Sequence, residues 1–133
     1  FLLHVILELP GIETERQILD LVEAEAQGAP PPALSLSLTD LAKARAQVQQ
    51  VHLAPELRDY IVRLVMATRE GPLAQDIEHA VSPRGSLSLA AASKARAFLH
   101  GRDFALPEDV AALAGVALAH RLAFSWGSLS DRR

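Results

Sequence analysis

The sequence has no cysteine, few aromatic residues and no long apolar run. The absence of cysteine excludes disulfides, thiolate zinc sites and cysteine nucleophiles. Aromatic residues make up 5% of the chain, whereas alanine and leucine supply much of its apolar half, and this balance favours packed helices over a β-sandwich. No uncharged apolar run approaches the roughly 20 residues that cross a bilayer. We therefore expect an all-α, cytoplasmic protein with no membrane span.

An excess of positive charge is also lacking. The chain has 13 basic and 16 acidic residues, a net charge of −3, and the two signs are interspersed. The basic surface that nucleic-acid binders present to phosphates is therefore not expected. We predict no nucleic-acid partner, and a DNA-binding helical domain is the least favoured interpretation of the chain.

Motifs that would make the chain an enzyme by itself are missing as well. The sequence contains no glycine-rich phosphate loop followed by lysine and no Gly-x-Ser-x-Gly turn. Its histidines follow no metal-ligand spacing, so no metal site is predicted. They are His4, His52, His79, His100 and His120.

The length of 133 residues suits one domain, which would bury about two-thirds of the surface of its unfolded chain. The sequence starts at Phe1 without a methionine. The strand-like run that follows has no basic segment of the kind that opens a signal peptide. We interpret the chain as a piece of a longer protein.

Prolines, glycines and apolar spacing divide the chain into five predicted helices. Residues 29–38, with three consecutive prolines and alternating leucines, predict an extended connector, with a short strand as the alternative. Residues 69–81 have no period and predict a loop, and loops of this length are commonly functional. The helices are expected to begin near Glu13, after an N-cap at Thr39, at Pro55, at Pro83 after an N-cap at Ser82, and at Pro107.

The apolar residues also predict which side of each helix is buried. The clearest stripe belongs to the third helix and consists of Leu57, Tyr60, Ile61, Leu64, Val65 and Thr68. The inward face of the fourth helix is predicted as Leu87, Ala91, Ala95, Phe98 and Leu99. In the turn after that helix, Arg102 and Asp103 are predicted to form a local ion pair.

The most informative motif is Ser82-Pro83-Arg84-Gly85, which opens the fourth helix. It puts an arginine in the first turn, where positive charge opposes the helix dipole by a few tenths of a kcal/mol. An anion at the same place would be favoured by the guanidinium and by the free backbone N–H groups together. The motif therefore indicates half of a phosphate site, with Arg84 as its functional residue.

Taken in order, seven short motifs resemble the C-terminal part of MoxR-type AAA+ ATPases. They extend over nearly the whole chain, and their common order is more specific than any one of them. The motifs are Val51-His52, Asp59-Tyr60-Ile61-Val62, Ala67-Thr68-Arg69, Ser82-Pro83-Arg84, Gly101-Arg102-Asp103-Phe104, Pro107-Glu108-Asp109-Val110 and His120-Arg121-Leu122.

The resemblance implies a five-helix AAA+ lid-type bundle over residues 11–127. Residues 1–10 would be the end of an ATPase core or the entry to the lid, and residues 128–133 a frayed tail. In that family the arginine matching Arg84 is the sensor-2 residue, which reaches the γ-phosphate of ATP held in the core. Ser82 and Pro83 would support it by fixing the start of the helix.

The sequence departs from the family pattern beside this motif. His79-Ala80-Val81 replaces a glycine-containing segment, and Gly85 stands where a small alanine is common. His79 is kept as a candidate to approach the nucleotide.

By the same resemblance, ATP and Mg belong to the full-length parent, an ATP-driven chaperone or metal-insertion machine, and none is expected to bind this chain alone. The implied partners are the AAA+ core of the same chain, neighbouring subunits in a ring and a von Willebrand A-type protein. The alternative is an α-helical protein-interaction module with no nucleotide role. It would bind a partner helix through residues 34–38 and the third helix.

Overall fold

The computed structural model describes residues 2–28 and 35–125. These ranges contain five α-helices and a two-stranded sheet, which confirms the all-α prediction. The prolines of the predicted connector, Leu34 and the predicted tail over 128–133 lie outside the described residues. The helices are α1 (Ile12–Ala26), α2 (Leu38–Gln50), α3 (Pro55–Met66), α4 (Pro83–Leu99) and α5 (Pro107–Leu118).

The chain divides into two compact units. One runs from Ile6 to Ala42 and includes α1. The other combines the segment up to Val5 with the chain from Lys43 onward, and it includes α3, α4, α5 and all seven of the short motifs. No helix in the described ranges has the length and apolarity needed to cross a membrane.

The larger unit is built around α4, which packs against both α3 and α5. Its core is apolar and draws on all three helices and on the segments between them. Burial of such side chains is the main favourable term in folding. The most deeply buried apolar residues are Ile61, Val65, Val81, Leu89, Ala97, Val110 and Ala117.

The predicted stripe of α3 is largely confirmed, because Leu57, Ile61, Val65 and Thr68 are buried. The predicted inward face of α4 is mostly wrong, although one of its five residues, Phe98, packs against the core. Leu87 and Leu99 are 71% and 81% exposed. The buried residues are instead Gly85, Ser88, Leu89, Ala92, Ser93 and Ala97.

The physical reason for the shifted face of α4 is its composition. Alanine and leucine occur on every side of the helix, so apolar spacing selects no face. Close contact with two neighbouring helices favours small residues. Ser93 is tolerated there because its hydroxyl donates to the carbonyl oxygen of Leu89 at 2.8 Å, which satisfies a buried polar group.

The predicted start of α2 is also wrong by two residues. The helix begins at Leu38, and the hydroxyl of Ser37 accepts a hydrogen bond from the N–H of Asp40 at 3.0 Å. The same hydroxyl lies 2.6 Å from the Asp40 carboxylate. Ser37, rather than Thr39, therefore supplies the side-chain cap of the first turn.

The end of α4 follows the prediction. Gly101 has a φ of 70°, a conformation that favours glycine after a helix. Its N–H donates to the carbonyl of Phe98 at 2.9 Å, and the N–H of Arg102 donates to that of Ala97 at 3.0 Å. These two bonds satisfy carbonyls that a helix end leaves without partners.

The segment predicted as a loop over 69–81 has regular structure. It contains a 3-10 turn (Pro72–Asp76) and the strand β1 (Ile77–His79), which pairs antiparallel with β2 (Ala123–Phe124). The partner strand lies more than 40 positions along the sequence, so local periodicity carries no trace of it. The pairing fixes the chain that leads into α4.

Arg102 pairs with Asp109, not with Asp103 as predicted. Its two terminal nitrogens donate to the two carboxylate oxygens of Asp109, both at 2.7 Å. The carboxylate also accepts the N–H of Leu106 at 2.9 Å, and the Asp109 side chain is fully buried. The bond from Arg102 is the main cause that lowers the pKa of Asp109, and the same bond raises the pKa of Arg102.

The N-terminal segment of the larger unit forms no helix or strand over its described residues, 2–5. It is attached to α5, because the N–H of His4 donates to the carbonyl of Val116 at 2.8 Å. The ring of His4 meets that of His120 edge-on, with 5.8 Å between centroids. Both ring nitrogens of His120 are buried without a hydrogen-bond partner among the described residues, and this burial lowers the pKa of His120.

Candidate functional site

The candidate site is the first turn of α4. Pro83 occupies the first helical position and Arg84 the second, and the Arg84 side chain is exposed. In the described ranges of the chain, no hydrogen bond or ion pair engages its guanidinium. Arg84 therefore presents a positive charge to the surroundings of the helix start.

Ser82 takes the N-cap position, as predicted, but its hydroxyl makes no capping hydrogen bond. Its backbone is extended, with φ −72° and ψ 166°, the conformation that a following proline imposes. The carbonyl of Ser82 accepts the N–H of Gly85 at 2.8 Å. Backbone geometry, rather than a side-chain cap, defines this helix start.

The positive end of the helix dipole makes the start of a helix attractive to anions. In α4 the dipole matters more than free N–H groups, because Pro83 has no N–H and the N–H of Gly85 is bonded to Ser82. The guanidinium of Arg84 adds a fixed positive charge with planar donors that match phosphate oxygens. The first turn of α4 is thus chemically suited to contact a phosphate group. In the part of the chain that the structure describes, no cluster of three or more His, Cys, Asp or Glu side chains could hold a metal ion.

The residue that leads into this turn, Val81, is held at both of its backbone polar groups. Its N–H donates to the hydroxyl of Thr68 at 3.2 Å. Its carbonyl accepts a hydrogen bond from Nε of Arg69 at 2.8 Å. Thr68 in turn donates to the carbonyl of Val65 at 2.7 Å, so the end of α3 and the entry to α4 are joined.

The other side of the turn is held by a close contact at Gly85. A β-carbon at this position would overlap Cγ1 of Val81 and lie 3.2 Å from Cδ2 of Leu118. Only glycine allows α4 to approach both side chains this closely. Gly85, where the sequence departs from the family pattern, is therefore a residue of close contact in the first turn of α4.

We expect Gly85→Ala to destabilise the 133-residue chain by about 1–3 kcal/mol, because the added methyl group overpacks the contact with Val81. Gly115→Ala is the matched control. That position in α5 has nothing within 4 Å of an added β-carbon, so the change should be neutral or stabilise by up to about 1 kcal/mol. Urea denaturation of both variants measures the difference. Equal stabilities would contradict the close contact as described.

A second arginine, Arg121, lies beside the first turns of α4. Arg121, which follows α5, donates from Nε to the carbonyl of Ala117 and from Nη2 to the hydroxyl of Ser88, both at 3.0 Å. Its Cδ would lie 3.7 Å from a β-carbon at Gly85. Arg121 therefore ties the end of α5 to the first turns of α4.

Sequence reasoning identified Arg84, Ser82 and Pro83 but assigned no role in the site to Thr68, Arg69 or Arg121. Its only prediction for Thr68 is a place in an apolar stripe. The one available signal is that these residues belong to the short motifs, which do not indicate what they contact. His79 lies exposed in β1, and its approach to a nucleotide stays a prediction.

Comparison with known proteins gives a consistent result. A family model described as the AAA lid domain matches residues 59–130. The protein named Chaperone MoxR1 of Mycobacterium tuberculosis is 31% identical over 139 residues, which cover 98% of this chain and 36% of that protein. The uncharacterised protein YeaC of Bacillus subtilis is 33% identical over 114 residues, 84% of this chain and 35% of YeaC.

A crystal structure of a candidate ATPase from Cytophaga hutchinsonii has the same fold, with a TM-score of 0.85 and 26% identity. It covers all of this chain, which corresponds to 42% of that protein. The chain spans about a third of the length of the curated relatives it matches. With a family model over more than half of its length, the chain belongs to the AAA lid domain family, as a lid of the MoxR type.

Proposed function

We propose that this lid completes the nucleotide site of a longer MoxR-type ATPase, with Arg84 as its sensor-2 arginine. The observation that carries the proposal is the position of Arg84. Its exposed guanidinium lies in the first turn of α4, where the positive end of the helix dipole also attracts an anion. The phosphate itself would be held by a core domain outside these 133 residues.

The proposed role follows from phosphoryl-transfer chemistry. Negative charge spreads over the oxygens of the transferred phosphoryl group, and a guanidinium aimed at them stabilises that charge. Bound ATP with Mg²⁺ supplies the group to be transferred. Arg84 would donate its N–H groups to the γ-phosphate oxygens, so the position of the lid would depend on whether that phosphate is present.

At the level of the whole protein, we propose ATP hydrolysis coupled to chaperone-like work in a ring of subunits. One relative carries the name chaperone, and the family assignment supports ATP as the nucleotide. Metal-insertion work and a von Willebrand A-type partner belong to the same proposal through the family resemblance. The alternative, an α-helical interaction module with no nucleotide role, stays a prediction.

Nucleotide affinity tests the assignment of Arg84. In the full-length protein, Arg84→Ala should weaken ATP binding by about 10- to 100-fold, since a hydrogen-bonded charge pair is lost. ADP binding should change by less than about twofold, because ADP has no γ-phosphate. Calorimetric titration of both nucleotides into wild type and variant gives the two ratios.

Two results would contradict the proposal. One is an equal loss of affinity for ATP and ADP, which would indicate a general effect on the site. The other is micromolar ATP binding by the 133-residue chain alone, because a lid without its core should not hold a nucleotide.

A further inference from the structure

We propose that Thr68 and Arg69 are positioning residues for Arg84 and act on it through the backbone of Val81. The inference rests on the proposed function of Arg84 and extends it to the end of α3. Neither side chain is assigned a contact with the nucleotide. Their effect is to fix the direction from which the chain enters α4.

Both backbone polar groups of one residue, Val81, are hydrogen-bonded to side chains. The hydroxyl of Thr68 accepts the N–H of Val81, and Nε of Arg69 donates to its carbonyl. Two bonds from adjacent residues, one on each side of Val81, restrict rotation of that backbone far more than one bond would. The Val81 side chain is fully buried, so this residue is fixed in position and in orientation.

The chain from Val81 to Arg84 is short and stiff. Ser82 is extended, and Pro83 has a φ restricted by its ring. Gly85, directly after Arg84, lies against Val81 and Leu118. A change in the orientation of the Val81 backbone therefore also changes the position of Arg84.

Arg69 is an exposed residue, and a surface arginine ordinarily leaves its guanidinium in water. Here Nε points back to a backbone carbonyl 12 residues away. Such an ordered arginine contributes little to the core, but it does hold the chain that carries the proposed sensor.

Small displacements of a catalytic group have large effects on rate, up to about 100-fold for roughly 1 Å. In the full-length protein we expect Arg69→Ala to lower kcat for ATP hydrolysis by about 10-fold. Thr68→Val, which leaves the Val81 N–H without its acceptor, should have a similar effect. Thr68→Ser, unlike Thr68→Val, keeps the hydroxyl, so its kcat should stay within about threefold of wild type. The matched control is Arg63→Ala, at an exposed position in the last turn of α3, and it should leave kcat unchanged.

A double-mutant cycle with Arg84→Ala separates positioning from a general structural role. If Arg69 acts through Arg84, Arg69→Ala lowers kcat in the wild-type background but not in the Arg84→Ala background. A side chain that only stabilises the fold would lower kcat by the same factor in both. ATP-saturated turnover of the four proteins gives the coupling directly.

The outcomes are distinguishable. Loss of the Arg69→Ala effect in the Arg84→Ala background, together with rescue by Thr68→Ser, supports the proposal. If Arg69→Ala lowers kcat by equal factors in both backgrounds, the positioning role alone is overturned. The same follows if Arg69→Ala and Thr68→Val have no effect while Arg84→Ala lowers kcat. An Arg84→Ala protein with unchanged kcat overturns the proposed function of Arg84 and the positioning role with it.

Discussion

Arg84→Ala should lower kcat for ATP hydrolysis by about 100-fold in the full-length protein, the size expected when one preorganised donor to a developing negative charge is removed. The Arg84 side chain is exposed and extends from the first turn of α4. The backbone is held before Arg84 by the bond from Arg69 to Val81 and after it by the close contact at Gly85. The contribution of the guanidinium is largest where charge is spread over the phosphoryl oxygens. Steady-state phosphate release at saturating ATP measures the effect.

Two further variants make this result specific. Arg84→Lys keeps the charge but loses the planar, two-pronged donor, so its kcat should fall between those of wild type and Arg84→Ala. Arg58→Ala removes another exposed arginine, in the first turn of α3, and should leave kcat unchanged. A kcat for Arg84→Ala within about twofold of wild type would count decisively against a role in phosphoryl transfer.

Asp109→Ala should destabilise the 133-residue chain by about 3–5 kcal/mol, the cost of leaving a buried ion pair with one partner. Asp109 is 1% exposed. It accepts both bonds from Arg102 and the bond from the N–H of Leu106. The variant therefore loses the ion pair with Arg102, a longer one with Arg96 at 3.6 Å and the hydrogen bond to the N–H of Leu106 at the start of α5. Urea denaturation at neutral pH measures the difference.

The same carboxylate predicts a pH dependence. Its folded-state pKa lies below the ordinary value of 3.8. The unfolded chain therefore binds more protons between the two pKa values, and stability falls as the pH is lowered. The contribution of Asp109 should be complete above its unfolded pKa and should be lost as the pH falls from about 4 through the folded value. The difference between wild type and Asp109→Ala should shrink over that range.

Glu108→Ala is the control for Asp109, because it removes the neighbouring, exposed carboxylate of the same first turn. Its loss weakens the interaction with the helix dipole and a charge interaction with Arg102, and it should cost less than about 1 kcal/mol. If Asp109→Ala were no more destabilising than Glu108→Ala, the buried pair with Arg102 would not have the importance assigned to it.

The helix starts were largely predictable because their signals are local. Pro55, Pro83 and Pro107 each occupy the first position of a helix, where the missing N–H costs nothing. Gly101 ends α4 through a conformation that other residues rarely adopt. The start of α2 was missed because Ser37 and Thr39 are both good caps, and only the structure distinguishes them.

Contacts between distant positions were not predictable. The alanine-rich composition of α4 indicates no preferred face, so its buried side follows from the shapes of α3 and α5. Arg102 has acidic neighbours at Asp103 and Asp109, and the prediction of the nearer one as its partner is wrong. Only the packed turn brings the carboxylate of Asp109 to both terminal nitrogens of Arg102.

The start of α4 at Pro83 and the place of Arg84 in its first turn can be predicted locally, because proline, glycine and helix periodicity act over a few residues. The contacts that hold that turn appear only in the folded chain. Thr68 and Arg69 bind the backbone of Val81 from 12 to 13 positions away, and Gly85 meets Leu118 across the core. Such contacts depend on how the helices pack, and packing is a property of the whole folded unit.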